Sequence, residues 1–151
     1  CMDPQEVIYM EQGHKKPVIF AVSGYKNSGK TTLTVKLVEA LSKMGYRVGT
    51  IKHDGHDFEP DVPGTDSYRH RQAGAIVTAV FFDHKWMMVQ KQSDEEDKKI
   101  REQDLIDLFP EVDIILLEGF KHSDYPKYFC NYPERIPDLS EALSMVLALL
   151  K

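Results

Sequence analysis

The chain of 151 residues has few cysteines, no long apolar run and no excess of positive charge, and each of these features excludes a class of protein. Its only cysteines, Cys1 and Cys130, stand far apart, so it lacks the disulfide framework of small secreted domains. Its longest nearly uncharged apolar runs, 114–117 and 142–150, fall far short of the roughly 20 residues that span a bilayer, which excludes a membrane-embedded role. It has 19 Lys and Arg against 24 Asp and Glu, and the net charge of −5 has the wrong sign for a protein that binds mainly nucleic acid.

What the sequence does contain indicates a folded domain. With 42% hydrophobic and 28% charged residues, the chain has the composition of a globular protein that folds alone. No basic segment followed by an apolar stretch opens the chain, so we expect a cytoplasmic protein. We expect a loose N-terminal segment over 1–16 and one nucleotide-binding domain over 17–151.

Apolar periodicity predicts strands that alternate with helices. The predicted strands are 18–22, 47–52, 75–80, 86–89 and 112–117. The predicted helices are 33–44, a short one capped by Asp66, one that starts at the capping box of Ser93 and Glu96, and 139–150. A Pro- and Tyr-rich connection is expected to lead up to Pro137. The alternation predicts an α/β fold with a mostly parallel central sheet and right-handed crossovers.

A phosphate-binding motif joins the first predicted strand to the first predicted helix. Residues 24–31 fit G-x-x-x-x-G-K-[ST] in the strand–loop–helix context that this motif requires. The glycines let backbone amides and the positive end of the helix face a phosphate, while Lys30 meets the terminal phosphates and Thr31 holds magnesium. The motif predicts a P-loop NTPase-like three-layer fold, with nucleotide contacts from Gly24, Tyr25, Lys26, Asn27, Ser28, Gly29, Lys30 and Thr31.

Two acidic residues follow predicted strands at the edge where the phosphates are expected. In an open parallel sheet, ligands lie beyond the carboxyl ends of the strands. Glu118 ends the strand 112–117, so we expect it to act in catalysis, in the magnesium shell or by orienting an attacking water. Asp54 is either a second magnesium ligand or a solvated loop residue. Asp113 begins the same strand as Glu118, at the opposite edge, and is expected to be solvated.

Other polar side chains leave alternatives open. His53 and His56 have a spacing that zinc sites use, but the absence of a third ligand nearby in the sequence favours a polar loop. Arg69, His70 and Arg71 either bind phosphate or another anionic substrate, or form salt bridges on a surface helix. Basic residues that lie on the expected active edge and could bind an acidic ligand are Lys121, His122 and Lys127.

Four blocks stand in order along the chain: Val22–Thr32, Thr50–His56, Asp66–Ala75 and Leu117–Lys121. Together they resemble the molybdopterin-guanine dinucleotide biosynthesis protein B (MobB) family. The first block alone indicates only a P-loop NTPase, and the combination makes the resemblance specific over 17–128. The chain differs from the family before residue 17 and after about residue 130.

The resemblance implies a cytoplasmic, typically dimeric GTP-binding protein with weak GTPase activity. Such a protein assists a molybdopterin guanylyltransferase in attaching GMP to molybdopterin. Guanine is implied by the resemblance alone, because the sequence has no N-K-x-D base-reading element. In the match, His53 and Arg69 are expected to bind the nucleotide, and Asp54 is a further matched position. The other matched residues are Gly24, Gly29, Lys30, Thr31 and Thr32 in the nucleotide loop, and Glu118 after the last core strand.

Two other functions would use the same loop. A small-metabolite kinase or ligase would transfer or activate phosphate on a substrate held by the segment 53–71. A metal-delivery GTPase would use His53, His56 or Cys130 as ligands. In the accessory protein, hydrolysis is expected to be slow, because the sequence offers no obvious general base or arginine beside the phosphates.

Overall fold

The structure, a computed structural model, describes residues 16–53 and 58–151. These residues form two compact units, of which the first consists of 16–53 and 102–151 and the second of 58–101. Nearly all of the segment 1–16, which is predicted to be loose, lies outside the described residues, as do Asp54 and His56. The assignment of 17–151 to a single domain stays a prediction.

Strands and helices alternate along the chain, as the apolar periodicity predicts. In chain order they are β1 (Val18–Gly24), α1 (Lys30–Lys43), β2 (Val48–Lys52), α2 (Asp66–Gln72), β3 (Val77–Phe82), β4 (Lys85–Gln90), α3 (Glu102–Leu108), β5 (Ile114–Glu118), β6 (Lys127–Cys130) and α4 (Leu139–Leu149). A short 3₁₀ helix, Glu96–Lys98, precedes α3. The second unit contains α2, β3 and β4, and the remaining strands and α-helices belong to the first.

The first unit is built on a four-stranded sheet in the order β2-β5-β1-β6, in which every neighbouring pair is parallel. Glu118 of β5 is level with Val22 of β1 and with Lys52 of β2, while Gly24 is level with Cys130 of β6. Because the strands run the same way, their carboxyl ends share one edge of the sheet. The predicted α/β fold is confirmed, and it places the ends of β1, β2 and β5 side by side.

The core of the first unit lies on both faces of the sheet, with β5 at its centre. All five residues of β5 are buried. On one face Leu116 belongs to a cluster with Leu37 of α1 and Val146 of α4, and on the other face Leu117 clusters with Ile106 of α3. Burying a side chain of this size contributes about 1.5–3 kcal/mol. Helices on the two faces give the expected three layers.

Helix α1 follows directly from its sequence. Leu33, Leu37 and Leu41 recur every four residues, which places them on one face, and all three are buried. Gly45 lies just past the last turn with a φ of 92°, and its amide donates to Ser42 O at 3.0 Å. A glycine with positive φ at this position is a common helix terminator. The prediction that Gly45 ends the helix is confirmed.

The second unit consists of α2 followed by a β-hairpin. Strands β3 and β4 form a two-stranded antiparallel sheet of their own, with Phe82 opposite Lys85 next to the turn. Most of their side chains are exposed, and Phe81, Phe82 and Trp86 expose 83%, 75% and 74% of their surface. The apolar runs predict both strands, but the antiparallel hairpin is an exception to the parallel pattern.

Two predicted helix starts are wrong. The N-cap of α2 is Thr65, and Asp66 is the first helical residue instead of the cap. Ser93 does not form a capping box, because its hydroxyl oxygen accepts from the amide of Glu95, two residues along, at 3.1 Å. A serine that bonds so locally favours a turn over a helix start. The α-helix of this segment therefore begins only at Glu102.

Strand β6 was expected to be part of an irregular connection, and that expectation is wrong. Its four residues pair with the edge of β1, and just before it the carbonyl of Pro126 accepts from the amide of Ala21 at 2.9 Å. Tyr128 and Cys130 are buried, whereas Phe129 between them is exposed. A single alternation of buried and exposed residues in a four-residue strand is too weak a signal to predict a strand within a Pro- and Tyr-rich segment. The strand matters for the site, because it lies beside the phosphate-binding motif.

Candidate phosphate-binding site

The loop between β1 and α1 turns through three residues with positive φ: 153° at Gly24, 61° at Asn27 and 92° at Gly29. At Gly24 space is also lacking. A Cβ there would lie 2.4 Å from the carbonyl oxygen of Cys130 and 2.4 Å from Ser28 Oγ. Conformation and the close approach of β6 therefore both require glycine at position 24.

The start of α1 presents backbone amides that the helix does not use. The amide of Leu33 donates to Gly29 O at 3.0 Å and so begins the helical ladder. The preceding amides, of Lys30, Thr31 and Thr32, have no acceptor within a helix. No side chain in the described part of the protein caps this end. Free amides combined with the positive end of the helix dipole favour an anion at this position.

Ser28 is a second sign that the loop is built around a ligand. Its side chain is almost fully buried, yet Ser28 Oγ has no hydrogen-bond partner among the described residues. Buried polar atoms nearly always have a partner, so an unpartnered one calls for an explanation. A bound phosphate, or a water molecule held with it, would provide the partner. The loop therefore fits the phosphate tail of a nucleotide.

Lys30 and the outer residues of the loop differ in their surroundings. Lys30 Nζ donates to the carbonyl oxygen of Gly24 at 3.0 Å, which holds the ammonium group across the loop. Tyr25, Lys26 and Asn27 are exposed on the outside of the turn. Lys30 therefore supplies the positive charge inside the loop. The motif predicts that this charge meets the terminal phosphates.

Thr31 and Glu118 meet beside the loop. Thr31 Oγ1 donates to Glu118 Oε2 at 3.2 Å, and Lys52 Nζ lies 3.8 Å from the same oxygen. The side chain of Glu118 is only 10% exposed. The register that places Glu118 level with Val22 and with Lys52 brings these groups together. A hydroxyl and a carboxylate oxygen are ligands that Mg²⁺ prefers, so the pair fits that cation.

Ser23 contributes to the site in a way that the sequence does not reveal. The buried hydroxyl of Ser23 donates to Gly119 O at 2.6 Å, and the amide of Gly119 donates to Val22 O at 2.9 Å. On the other side of β5, the amide of His53 donates to Glu118 O at 3.2 Å. These bonds hold the end of β5 between its neighbours. They position the carboxylate of Glu118 from both sides, and no local sequence pattern predicts this role for Ser23.

His53 follows β2 and lies at the same edge of the sheet as Glu118. The His53 ring is exposed, and its centroid is 5.6 Å from that of Phe120. Asp54, the other predicted residue of this loop, lies outside the described residues. The nucleotide contact of His53 stays a prediction.

The basic residues of α2 belong to the second unit. Arg71 pairs with Glu59 and with Asp61, the latter at 3.0 Å, and the hydrogen bond with Glu59 raises the pKa of Arg71. Of the two alternatives for Arg71, the structure therefore shows the salt-bridged helix. Arg69 is exposed, and its nucleotide contact stays a prediction.

Lys127 and Lys121, beyond Glu118, are tied to their own surroundings. Lys127 Nζ donates to Lys121 O at 3.1 Å and also to Ser123 O, which closes the turn before β6. Lys121 Nζ lies 4.8 Å from the centroid of the exposed Tyr25 ring, a cation–π contact at the rim of the loop. The ammonium group of Lys127 thus stabilises the turn before β6. The ammonium group of Lys121 instead lies beside the phosphate-binding loop.

Cys130 lies behind the loop. It is buried, and burial raises the pKa of its thiol, although the nearby charge of Lys30 acts in the opposite direction. A thiol of this kind is protonated at neutral pH and reacts slowly.

Residues 16–53 and 58–151 contain neither a cluster of metal ligands nor a membrane-spanning helix. Over these ranges no three His, Cys, Asp or Glu side chains come together in a group that could hold a metal ion. His53 and Cys130 thus form no such group, and His56 lies outside the described residues. In the same part of the chain, no helix is long and apolar enough to cross a membrane.

The sheet, the glycine-bounded loop and the carboxylate at the end of the adjacent strand define the class of P-loop nucleotide-binding α/β folds. Comparison with known proteins narrows the class. The model of the family described as "MobB: Molybdopterin guanine dinucleotide synthesis protein B" matches residues 19–146. The chain belongs to this family.

Individual relatives agree with the family model. A "Molybdopterin-guanine dinucleotide biosynthesis adapter protein" of Escherichia coli is 39% identical over 72% of this chain and 62% of its own length. A relative with the same description from Haemophilus influenzae is 33% identical over 86% of this chain and 72% of its own. The match thus spans less than two thirds of the E. coli protein.

A solved structure shows the same fold. The crystal structure of Bacillus subtilis MobB superposes with a TM-score of 0.70 at 29% identity, over 89% of this chain and 98% of that one.

Proposed function

We propose that this protein is a GTP-binding accessory protein of molybdopterin guanine dinucleotide synthesis, with weak GTPase activity and a place in the cytoplasm. Membership of the family and the description of two relatives as adapter proteins support this role. The guanine base is inferred from the family resemblance.

The observation that carries the proposal is the contact of Thr31 with Glu118 beside the loop that holds Lys30. The amides at the start of α1 bind the phosphate oxygens, and Lys30 neutralises the terminal phosphates. Thr31 and Glu118 hold Mg²⁺, which neutralises charge on the phosphates when it is bound. In this arrangement nucleotide binding is the main activity of the chain, and hydrolysis is a minor one.

Weak hydrolysis follows from where the arginines lie. Fast P-loop GTPases use an arginine that stabilises the charge of the transition state. In the described part of the first unit, Arg47 pairs with Glu111 and Asp113 at the opposite edge of the sheet. Arg135 pairs with Glu141 at 2.9 Å. Both guanidinium groups are engaged in these ion pairs, so we propose that a partner supplies the arginine that fast hydrolysis needs.

We propose a molybdopterin guanylyltransferase as that partner, with molybdopterin or its nucleotide form as the ligand that the assembly handles. This partner follows from the family resemblance and from the adapter role of the relatives. An adapter needs a nucleotide-dependent state and a docking surface more than it needs turnover.

The binding test compares GTP with ATP, each with and without Mg²⁺. We expect Mg²⁺-dependent GTP binding in the parent chain, and Lys30→Ala to weaken it by about a hundredfold, because the terminal phosphates lose their charged partner. Lys43→Ala, in the last turn of α1, is the matched control and should bind normally. Unchanged binding by Lys30→Ala, or a strong preference for ATP, would refute the assignment.

The turnover test adds a molybdopterin guanylyltransferase to the same proteins. The accessory role predicts slow GTP hydrolysis by the chain alone and a higher rate of guanylyl transfer when both proteins are present. Fast turnover without the transferase, stimulated by a metabolite, would instead favour the kinase or ligase.

We further propose that the chain forms a homodimer through the hairpin β3–β4. Phe81, Phe82 and Trp86 expose most of their surface, and contiguous exposed aromatic side chains are typical of interfaces. Light scattering over a range of concentrations tests this. The double variant Phe81→Ser, Trp86→Ser should shift the chain to monomer, whereas Leu108→Ser, equally exposed on α3, should not. A monomeric parent chain would contradict the dimer.

A further inference from the structure

A cavity of about 530 Å³ lies against the phosphate-binding loop. One wall is the start of α1, where Thr32 and Lys36 line it. The other wall is the segment between β6 and α4, residues 131–137, which we call the β6–α4 loop; it contributes Tyr132, Ile136 and Pro137. Sites for small ligands have roughly this volume. Ser28, Gly29 and Lys30 also line the cavity, so it is continuous with the place where the phosphates are expected.

The β6–α4 loop is held in place from behind. The hydroxyl of Tyr128 accepts from Arg135 Nη2 at 2.5 Å and from the amide of Asp138 at 2.9 Å. Arg135 also donates to Glu141 of α4 at 2.9 Å, and its hydrogen bond with Tyr128 raises its pKa. The loop is thus tied at both ends, to β6 and to α4. These hydrogen bonds restrain the conformation of the loop.

The loop also touches the phosphate-binding motif directly. A Cβ on Gly29 would lie 3.0 Å from the Pro137 ring, so the two loops approach closely at this glycine. One residue before the β6–α4 loop begins, Cys130 is level with Gly24. The position of the cavity relative to the motif is therefore fixed by backbone geometry.

Two apolar side chains of this tied loop remain exposed at the cavity. Tyr132 is 52% exposed and Ile136 is 77% exposed. A flat aromatic ring and a branched aliphatic chain, fixed next to a phosphate-binding loop, suit a planar group that is covalently joined to a phosphate chain. The base of a nucleotide is such a group.

We infer that this cavity takes the nucleoside part of the bound nucleotide, with the base against Tyr132 and Ile136. The inference rests on the proposed nucleotide binding at Lys30 and adds the residues that hold the base. Every base has a π-face, so stacking supplies affinity without selecting one base. Tyr132 should accordingly strengthen GTP and ATP binding alike.

The test measures the affinity of the full chain for GTP, ATP and inorganic tripolyphosphate, each with Mg²⁺. For Tyr132→Ala we expect GTP and ATP to bind about tenfold more weakly, because a stacked base is lost, while tripolyphosphate binds as in the parent. Tyr132→Phe keeps the ring and should restore GTP binding. Leu108→Ala, an exposed residue of α3, is the surface control.

The outcomes separate this inference from the proposed function. Loss of tripolyphosphate and GTP binding in Lys30→Ala, with selective loss of nucleoside binding in Tyr132→Ala, supports both. Normal GTP affinity in Tyr132→Ala and in Ile136→Ser overturns the assignment of the base while the phosphate site stands. If the parent chain binds neither GTP nor tripolyphosphate, the proposed function fails and the inference fails with it.

Discussion

The two units of this protein bury their strands to opposite extents. In the first unit every residue of β5 is buried between helices, whereas in the second unit nearly every residue of β3 and β4 is exposed. A parallel sheet covered on both faces carries its own core, but a two-stranded hairpin in water is marginal. The difference teaches that the first unit can hold a rigid site, while the hairpin of the second unit leaves most of its apolar surface exposed.

The same contrast separates two kinds of function. Phosphate binding needs groups fixed to within a fraction of an ångström, and the buried ends of β1 and β5 provide that. Docking needs exposed apolar surface, and among the residues that the structure describes the hairpin has it in Phe81 and Trp86.

The largest expected effect is on stability and uses one residue type in both units. Phe20 is fully buried in β1 and Phe81 is 83% exposed in β3. Phe20→Ala should lower the free energy of unfolding by about 3–5 kcal/mol, because it leaves a cavity. Phe81→Ala should change it by less than about 0.5 kcal/mol in dilute, monomeric protein. Urea denaturation measures both, and similar losses would contradict the contrast.

A glycine pair sharpens the comparison. Gly24 and Gly74 both have positive φ, but a Cβ would clash at Gly24 and would meet nothing within 4 Å at Gly74. Gly24→Ala should lower the free energy of unfolding by about 2–3 kcal/mol and abolish GTP binding, because the loop must move away from β6. Gly74→Ala should cost about 1–2 kcal/mol, from backbone strain without a clash. Thermal unfolding and GTP titration report the two effects, and normal GTP binding by Gly24→Ala would count against the loop geometry.

The two ends of β5 allow a test within the first unit. Glu118→Gln keeps the shape of the side chain but removes the charge, so we expect the Mg²⁺-dependent part of GTP affinity to fall about tenfold. Asp113, just before β5, has a side chain that is 37% exposed, as expected of a solvated residue, and it also accepts from the amide of Arg47 at 2.6 Å. Asp113→Asn should leave the Mg²⁺ dependence unchanged. Equal responses of the two variants in Mg²⁺ titrations would remove Glu118 from the cation site.

The smallest expected effect is a pH dependence that reports on the first unit, since Cys130 is the only cysteine in the described residues. Burial raises the pKa of the Cys130 thiol above its ordinary value of 9.0. The folded chain therefore keeps the proton to higher pH than the unfolded chain does. Stability contributed by the neutral thiol is fully present below about pH 9 and falls above it, by at most about 1.4 kcal/mol per pH unit. Unfolding measured from pH 8 to 10 should show a steeper fall in the parent than in Cys130→Ala, and equal slopes would contradict it.

The sequence predicts those parts of the molecule that local pattern determines. The branched run of β1, the four-residue period of Leu33, Leu37 and Leu41, and the position of Glu118 after an apolar strand all follow from short-range chemistry. The meeting of Thr31 with Glu118 was predictable because parallel strands end at one edge.

Other parts depend on contacts between distant segments. Strand β6 forms because it pairs with the edge of β1. A strand of four residues is too short for its apolar periodicity to predict it. The role of Ser23 depends on Gly119, almost one hundred residues away. The cavity at Tyr132 exists only because Tyr128 and Arg135 tie the β6–α4 loop in place. Local patterns carry no signal for such long-range arrangements.

Hydrogen–deuterium exchange of the full chain with saturating GTP and Mg²⁺ tests the central claim most directly. We predict slower exchange at the amides of residues 25–32, which bind the phosphates, and unchanged exchange in the hairpin 77–90. Protection confined to the hairpin, or none in residues 25–32 while GTP is bound, would contradict the account.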